Sequence, residues 1–399
     1  MVSSQIAYTQ FYEREASLCG ELVRYGTKPG LQAWEKLTPS STLLAENILP
    51  PGNGRALLLG CGHGAAAVAL ARKMPAGQLW LTDASFIALQ MAGETLRLNQ
   101  VANAAIYSQF DALPEKVLLP EAAAFDLVAI NLPKGRKLAQ RWLVEAHLAL
   151  RPGGHLYLAG ANDLGVQSAV RDAEALFGTA TILAYKKGNR LARLQKQLPL
   201  LPEVEWLNEP GILPGTWHEL DVEFLQGGLS LCSLPGVFSY ERLDPGTKLL
   251  LEQMQVAQGE RFLDLGCGYG VIGLVAAQAG AAQVDLVDAN LLAVASTVEN
   301  LSRLGITNAR ALPSDVLSAV AGERYTLIVT NPPFHAGQPV DYQVAQAFIQ
   351  QSRDALEVGG RLLLVANRFI RYERLIENEF RRVSRLADTS RYHVLEAWK

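Results

Sequence analysis

Two stretches of this chain, about 200 residues apart, follow one template, and a duplication of that kind constrains the fold before any single element is assigned. In the first half RALLLGCGHGAAAVALARKM is followed by GQLWLTDAS, FDALP, FDLVAINLPKG and LRPGGHLYLAG. In the second half RFLDLGCGYGVIGLVAAQAG is followed by AQVDLVDAN, SDVLS, YTLIVTNPPFH and LEVGGRLLLVAN. Each copy reads as a short apolar strand, a Gly-rich turn, a helix, a second strand ending in Asp, and further strand–helix alternations. The landmarks keep their distances: Gly60 to Asp83 is 23 residues and Gly266 to Asp288 is 22. Strands alternating with helices imply a parallel sheet covered on both faces. The expected fold class is therefore α/β, with two tandem domains, each a mostly parallel sheet flanked by helices.

Composition supports two domains. With 399 residues, 49% apolar and 19% charged, the chain can build and solvate two cores. The expected boundaries are an N-terminal domain over 1–184, a basic and Pro/Gly-rich connector over 185–233, and a C-terminal domain over 234–399. The connector is inferred from Lys186, Lys187, Arg190, Arg193 and Lys196, which have no acid among them, followed by LPLLPEV and NEPGILPG. A formal net charge of −3 gives no global basic field, so contact with nucleic acid must come from local patches. The 4 cysteines are far apart with no CxxC pair, which argues against a disulfide framework or structural zinc and fits a reducing compartment. Glu13 and Glu15 stand where a signal peptide needs its apolar region, and no apolar run is long enough to span a bilayer. A cytoplasmic protein with no membrane partner and no metal is expected.

DLGCGYG, Asp264 to Gly270, follows a strand and opens a helix, so Gly266, Gly268 and Gly270 let backbone approach a ligand closely. On spacing alone the ligand is nucleotide-like, and a dinucleotide stays open: glycines at a pyrophosphate, with Asp288 at a ribose. Asp264 shifts the balance. A carboxylate inside the turn repels a pyrophosphate but suits the ammonium end of S-adenosyl-L-methionine (AdoMet). Asp288 is then expected to accept the ribose hydroxyls, and Asp315, in PSDVL, to contact the adenine amino group. Cys61 and Cys267 occupy matching positions in the two turns and read as small apolar packing residues.

Asn331-Pro332-Pro333-Phe334 supplies the acceptor side. The lone pair of an exocyclic amine on a nucleobase is delocalised into the ring, so catalysis must draw it out toward the methyl. The Asn331 side-chain oxygen and the Pro332 carbonyl are suited to accept the two amine protons. Pro333 biases Pro332 toward an extended conformation and so aims that carbonyl. This is preorganised electrostatics and needs neither a metal nor a covalent nucleophile. Phe334 is expected to stack on the base, a contact worth roughly 1–3 kcal/mol in single-stranded complexes. His335 is read as a rim residue, because a methylated amine sheds its proton readily.

With these residues in hand, the chain resembles the bacterial ribosomal RNA (guanine-N2)-methyltransferases with duplicated methyltransferase domains. LPGVFSYERLDPGTKLLLE, DLGCGYG, TNPPFH and LLLVANRFIRYERLIENEF carry the resemblance. It implies two tandem Rossmann-like (class I AdoMet-dependent methyltransferase) domains, a catalytic C-terminal copy and a degenerate N-terminal one. It also implies AdoMet contacts at Asp264, Gly266, Gly268, Asp288 and Asp315, with the target base at Asn331, Pro332 and Phe334; Gly270 and Asn331 are expected at the cofactor as well.

The first copy reads as degenerate without that resemblance. It has Leu58 in place of Asp264, and Asn131-Leu132-Pro133-Lys134 in place of the NPPF run. Gly60, Gly62, Gly64 and Asp83 remain, so residual nucleotide binding there stays open. A domain that has lost catalysis can still hold RNA: Lys134, Arg136 and Lys137, with Lys186, Lys187 and Arg190, are candidate phosphate contacts. The Arg-rich C-terminal region is another. The expected partner is ribosomal RNA or a ribosomal subunit, and the expected state a monomer. The NPPF run also suits adenine-N6 and glutamine-amide acceptors, all planar nitrogens. A non-catalytic RNA-binding assembly factor is the alternative from another class.

Overall fold

The computed structural model describes residues 8–107, 124–224, 227–333, 339–370 and 372–399. They form two compact units: Phe11–Trp217, and His218–Lys399 joined by the stretch just before Phe11.

The first unit opens with an antiparallel hairpin, β1 (Tyr12–Leu18) and β2 (Glu21–Thr27), and a helix α1 (Pro39–Asn47). There follow β3 (Arg55–Leu59), α2 (Ala65–Arg72), β4 (Gln78–Thr82), α3 (Phe86–Leu98), β5 (Ala104–Ile106), β6 (Phe125–Asn131), α4 (Arg136–Ala149), β7 (Leu150–Ala161), α5 (Val166–Phe177), β8 (Thr181–Lys186) and β9 (Asn189–Gln195). The second unit repeats the plan. It has a hairpin of β10 (His218–Phe224) and β11 (Gly227–Ser233), then α6 (Pro245–Gln253), β12 (Arg261–Leu265), α7 (Val271–Gln278), β13 (Gln283–Asp288), α8 (Leu291–Arg303) and β14 (Ala309–Pro313). It closes with β15 (Tyr325–Thr330), α9 (Pro339–Ala355), β16 (Leu356–Asn367), α10 (Tyr372–Glu379), β17 (Arg382–Asp388) and β18 (Tyr392–Trp398).

The two sheets have the same seven-stranded order, β5-β4-β3-β6-β7-β9-β8 and β14-β13-β12-β15-β16-β18-β17. All pairings are parallel except those made by the last two strands of each sheet. The central strands are apolar runs because helices bury both their faces, as RALLL and YTLIVT show. Leu263, Leu265, Val287, Ile328, Leu362 and Leu364 form the heart of the second core. In each sheet the order reverses beside the first central strand. The carboxyl ends of β12 and β15, which pair through Leu265 and Thr330, therefore flank the crevice where open α/β sheets take ligands.

The segment expected as a connector over 185–233 is divided differently. Lys186 ends β8, and Arg190 and Arg193 lie in β9, so 185–195 completes the first sheet. Residues 218–233 form the hairpin that opens the second unit. Between β8 and β9, Lys187 and Gly188 both have positive φ, 48° and 74°, giving a two-residue turn whose twist matches a hairpin. Clustered Lys and Arg masked the alternation of Leu191, Ala192 and Leu194, which are buried while Arg193 points out. Lys196 is itself buried and donates to the carbonyls of His147 and Leu150, so its charge caps the end of α4.

Candidate active site

β12 delivers the Gly-rich turn to the crevice. Gly266 and Cys267 donate to the Val287 carbonyl at 2.8 and 3.0 Å, which bolts the turn to the end of β13. Gly268 has φ +58°, and a Cβ built there meets nothing within 4 Å, so the turn presents open space at its crest. At Gly266 an added Cβ meets only the Phe348 ring, at 3.5 and 3.8 Å. Gly270 caps α7 with no side-chain hydrogen bond. One first-turn donor, Gly273 N–H, goes to Asp264 Oδ2 at 2.8 Å.

Asp264 lies fully buried beneath the turn, and its Oδ1 has no partner among the described residues. Burial raises its pKa to about 7, Gly273 N–H works against that rise, and the nearby Asp288 charge adds to it. A buried carboxylate short of a partner suits a cationic ligand held in the turn above it. Asp288 remains partly accessible: its Oδ2 accepts from Gly268 N–H at 2.9 Å and its Oδ1 from Asn290 N–H at 2.8 Å. The carboxylate faces the crevice with acceptor capacity beyond these two bonds. Burial raises its pKa as well, opposed by the backbone donors of Asn290, Gly268 and Ala289. Cys267 is buried beside Thr297, and desolvation pushes its thiol far up, as fits a packing residue.

Asp315 follows β14 and accepts a 2.6 Å hydrogen bond from the Tyr8 hydroxyl. Tyr8 is buried in the second core, and burial, followed by the Asp315 charge, raises its pKa. No sequence signal pointed to Tyr8, which lies 307 positions from Asp315 and outside the duplicated template.

Asn331 follows Thr330, whose hydroxyl donates to the Leu265 carbonyl at 2.6 Å and ties the ends of β15 and β12 together. The Asn331 Nδ2 donates to Thr247 Oγ1 at 2.8 Å and to Asp244 Oδ2 at 3.2 Å. Its Oδ1 is buried without a partner among the described residues. Pro332 is buried and Pro333 exposed. Phe334 and His335 lie outside the described residues. Asp244 and Thr247 were not singled out from sequence, although a signal existed. LTPSST and LDPGTK pair Thr38 with Asp244 and Ser41 with Thr247, each 206 positions apart, the same offset as Gly60 and Gly266.

The first unit shows the same plan, tighter at the first glycine of its turn. A Cβ at Gly60 would lie 2.6 Å from the Asn131 carbonyl oxygen and 3.0 Å from the Trp142 ring. The space at Gly60 is thus filled by strand end and indole, while Gly62, like Gly268, meets nothing within 4 Å. Asp83 keeps its backbone donors, Gly62 N–H at 3.0 Å and Ser85 N–H at 2.9 Å.

The candidate phosphate contacts differ in what holds them. Arg136 makes a paired contact to Asp172 at 3.0 and 2.8 Å, Lys137 pairs with Glu209, and Lys186 lies 3.7 Å from Glu46. Arg190 lies over the Tyr185 ring and donates to Asn162. Lys134 and Lys187 are exposed with no acidic partner among the described residues. In the C-terminal region Arg361, Arg368 and Arg385 are all ion-paired. Among the described residues no helix is long and apolar enough to cross a membrane, and no group of three or more His, Cys, Asp or Glu is arranged to hold a metal.

Comparison with known proteins matches this geometry to one family. The model of the methyltransferase small domain matches twice, over residues 23–193 and 228–396. The ribosomal RNA small subunit methyltransferase C of Chromohalobacter salexigens is 36% identical over 272 residues, covering 67% of this chain and 76% of that protein. Its counterpart in Psychromonas ingrahamii is 31% identical over 317 residues, 75% of this chain and 87% of that protein. A T. thermophilus 16S rRNA N2 methyltransferase, solved in complex with AdoMet and guanosine, superposes with a TM-score of 0.79 at 31% identity, covering 98% of this chain and 99% of that one. Seven-stranded order, duplicated turn and near-complete coverage agree, and the chain belongs to the methyltransferase small domain family as a tandem pair of such domains.

Proposed function

We propose that this protein transfers a methyl group from AdoMet to the exocyclic N2 amine of a guanosine in small-subunit ribosomal RNA. Catalysis belongs to the second unit, and RNA recognition to the first. The observation that carries this reading is the Asn331 amide, at the carboxyl end of β15 beside the Gly-rich turn of β12, with both N–H groups engaged and its oxygen unpartnered. The likeness to a methyltransferase solved with AdoMet and guanosine supports guanine N2 over the adenine and glutamine acceptors.

Gly266, Gly268 and Gly270 bring backbone against the cofactor. Asp288 takes its ribose, Asp315 its adenine amine, and Asp264 supplies negative charge from below the turn. Bound AdoMet supplies an electrophilic methyl: the amine lone pair forms the N–C bond as the S–C bond breaks and its electrons stay on sulfur. Asn331 Oδ1 and the Pro332 carbonyl accept the two amine protons, hold the lone pair toward the methyl and stabilise positive charge as it grows on nitrogen. One proton then leaves to solvent. Phe334 is assigned the face of the base. The working unit is one chain in the cytoplasm, since a single chain carries both copies of the fold.

Transfer of labelled methyl to separate pools of small subunits, large subunits, deproteinised rRNA, DNA and protein tests the reading. The expected product is N2-methylguanosine in the small-subunit pool, lost in Asn331→Ala. N6-methyladenine or methylglutamine as the product would sink the substrate assignment.

A further inference from the structure

We propose that Asp244 and Thr247 are positioning residues for methyl transfer: together they lock the Asn331 amide with its nitrogen turned away from the acceptor and its oxygen facing it. The inference rests on the reading of Asn331 as the acceptor of the amine protons.

An asparagine side chain is nearly symmetric in shape, so packing alone does not decide which end is oxygen. Here the choice is chemical. Turning the amide over would place its oxygen 3.2 Å from a carboxylate oxygen of Asp244, acceptor against acceptor. It would also present an NH2 group to the target amine, donor against donor. Thr247 enforces the same choice. Its hydroxyl donates to Asp244 Oδ2 at 3.4 Å, which leaves its lone pairs to accept the Asn331 N–H at 2.8 Å. The three side chains close a triangle of hydrogen bonds in which Asn331 only donates, Thr247 accepts and donates, and Asp244 only accepts. Asp244 is fixed in turn as the N-cap of α6, accepting Thr247 N–H at 2.9 Å, where the helix dipole favours its charge.

The ring also acts on the oxygen. Donating both N–H groups, one to a carboxylate, draws amide electron density toward Oδ1 and makes it a stronger acceptor, since hydrogen bonds in a chain polarise one another. That matters most as positive charge develops on the amine, so the effect belongs to the chemical step.

The first unit keeps this device without its charge. Thr38 caps α1 by accepting Ser41 N–H at 3.1 Å, and Asn131 Nδ2 reaches Ser41 Oγ at 3.4 Å. The carboxylate is present only in the copy that also carries Asp264 and the NPP run.

The test is steady-state methyl transfer to unmethylated small subunits by the full-length protein, comparing Asp244→Thr, Thr247→Val, Thr247→Ser and Asn331→Ala. Asp244→Thr installs the cap that the first unit already uses, so α6 is expected to keep its start and the melting temperature to hold. The expected result is a kcat lower by roughly 10- to 100-fold in Asp244→Thr and Thr247→Val, from loss of a charge-assisted or buried hydrogen bond. KM for the subunit and AdoMet affinity stay unchanged, and Thr247→Ser recovers most of the rate lost in Thr247→Val. If Asp244→Thr and Thr247→Val keep kcat within about twofold of the parent while Asn331→Ala is inactive, the positioning role is overturned and the site reading stands. If Asn331→Ala is itself active, the site reading fails and the inference with it. Should Asp244→Thr prove unstable, the Thr247→Val and Thr247→Ser pair decides the matter alone.

Discussion

The Asp264 carboxyl lies under the Gly-rich turn with burial holding its pKa near 7, against 3.8 for the free side chain. Below 3.8 both folded and unfolded chains keep the proton. Between 3.8 and about 7 the unfolded chain gives it up first, so the ligand-free protein loses stability as pH rises through that window. A cationic ligand needs the ionised form, so AdoMet affinity should rise with pH and level off above 7. At pH 6 it should be weaker than the plateau by about tenfold, one pH unit below the pKa. Calorimetric titration from pH 6 to 8 checks this, and Asp264→Asn should bind weakly with no such step; a flat profile in the parent would place the charge elsewhere. Tyr8 gives a second prediction. Tyr8→Phe removes the hydroxyl that holds Asp315, so AdoMet should bind several-fold more weakly, as the loss of one hydrogen bond of about 1 kcal/mol implies. An unaltered dissociation constant would remove Asp315 from the adenine contact. The turn glycines, Asp288 and Asn331 were legible in sequence because their spacing repeats. Tyr8 was not, because its contact exists only after the chain has folded back over hundreds of positions.

At the scale of elements, the β8–β9 hairpin shows why charge clusters mislead. Lys186 dresses the edge strand β8, where charge discourages further pairing, but Arg190 and Arg193 lie on β9, which pairs on both sides, so a run of basic residues made two paired strands resemble a linker. The turn that joins them puts Gly188 at φ +74°. A β-branched residue there would be strained by about 1–3 kcal/mol. Gly188→Val should therefore lower unfolding free energy in urea by about that amount; a stability equal to the parent would mean that the turn readily takes another form. The entry helices teach the converse. Thr38-Pro39 and Asp244-Pro245 each place a capping side chain before a proline at the first helical turn, a start signal readable from sequence. What that signal does not carry is direction: that the cap of α6 also faces the end of β15 follows from how helix and sheet meet.

For the whole molecule, duplication has produced two copies of one fold and, on the reading above, one catalytic site. The Asn131 carbonyl and Trp142 close the space at Gly60, whereas the matching Gly266 meets only the Phe348 ring. Calorimetry should return one AdoMet per chain; two would show that the first unit still binds. On RNA, replacing Lys134 and Lys187 together with Ala should weaken binding and lower the salt slope by about 1.4–1.8, at roughly 0.7–0.9 per phosphate contact. Arg136→Ala should do less, because Asp172 already neutralises that charge. Equal slopes in the double variant would move the RNA surface elsewhere. The sequence by itself determined the fold class, the duplication and the order in which cofactor and acceptor residues arrive, because strand period, glycine spacing and repeat offset are local properties of a chain. Only the tertiary structure decided that Lys186, Arg190 and Arg193 belong to a sheet, that Asp264 is sealed from solvent, and that Asp244, Thr247 and Asn331 share one ring of hydrogen bonds. Those facts depend on which faces meet across a parallel sheet, where neighbours in space lie tens to hundreds of positions apart and dielectric environment is set by everything packed around them.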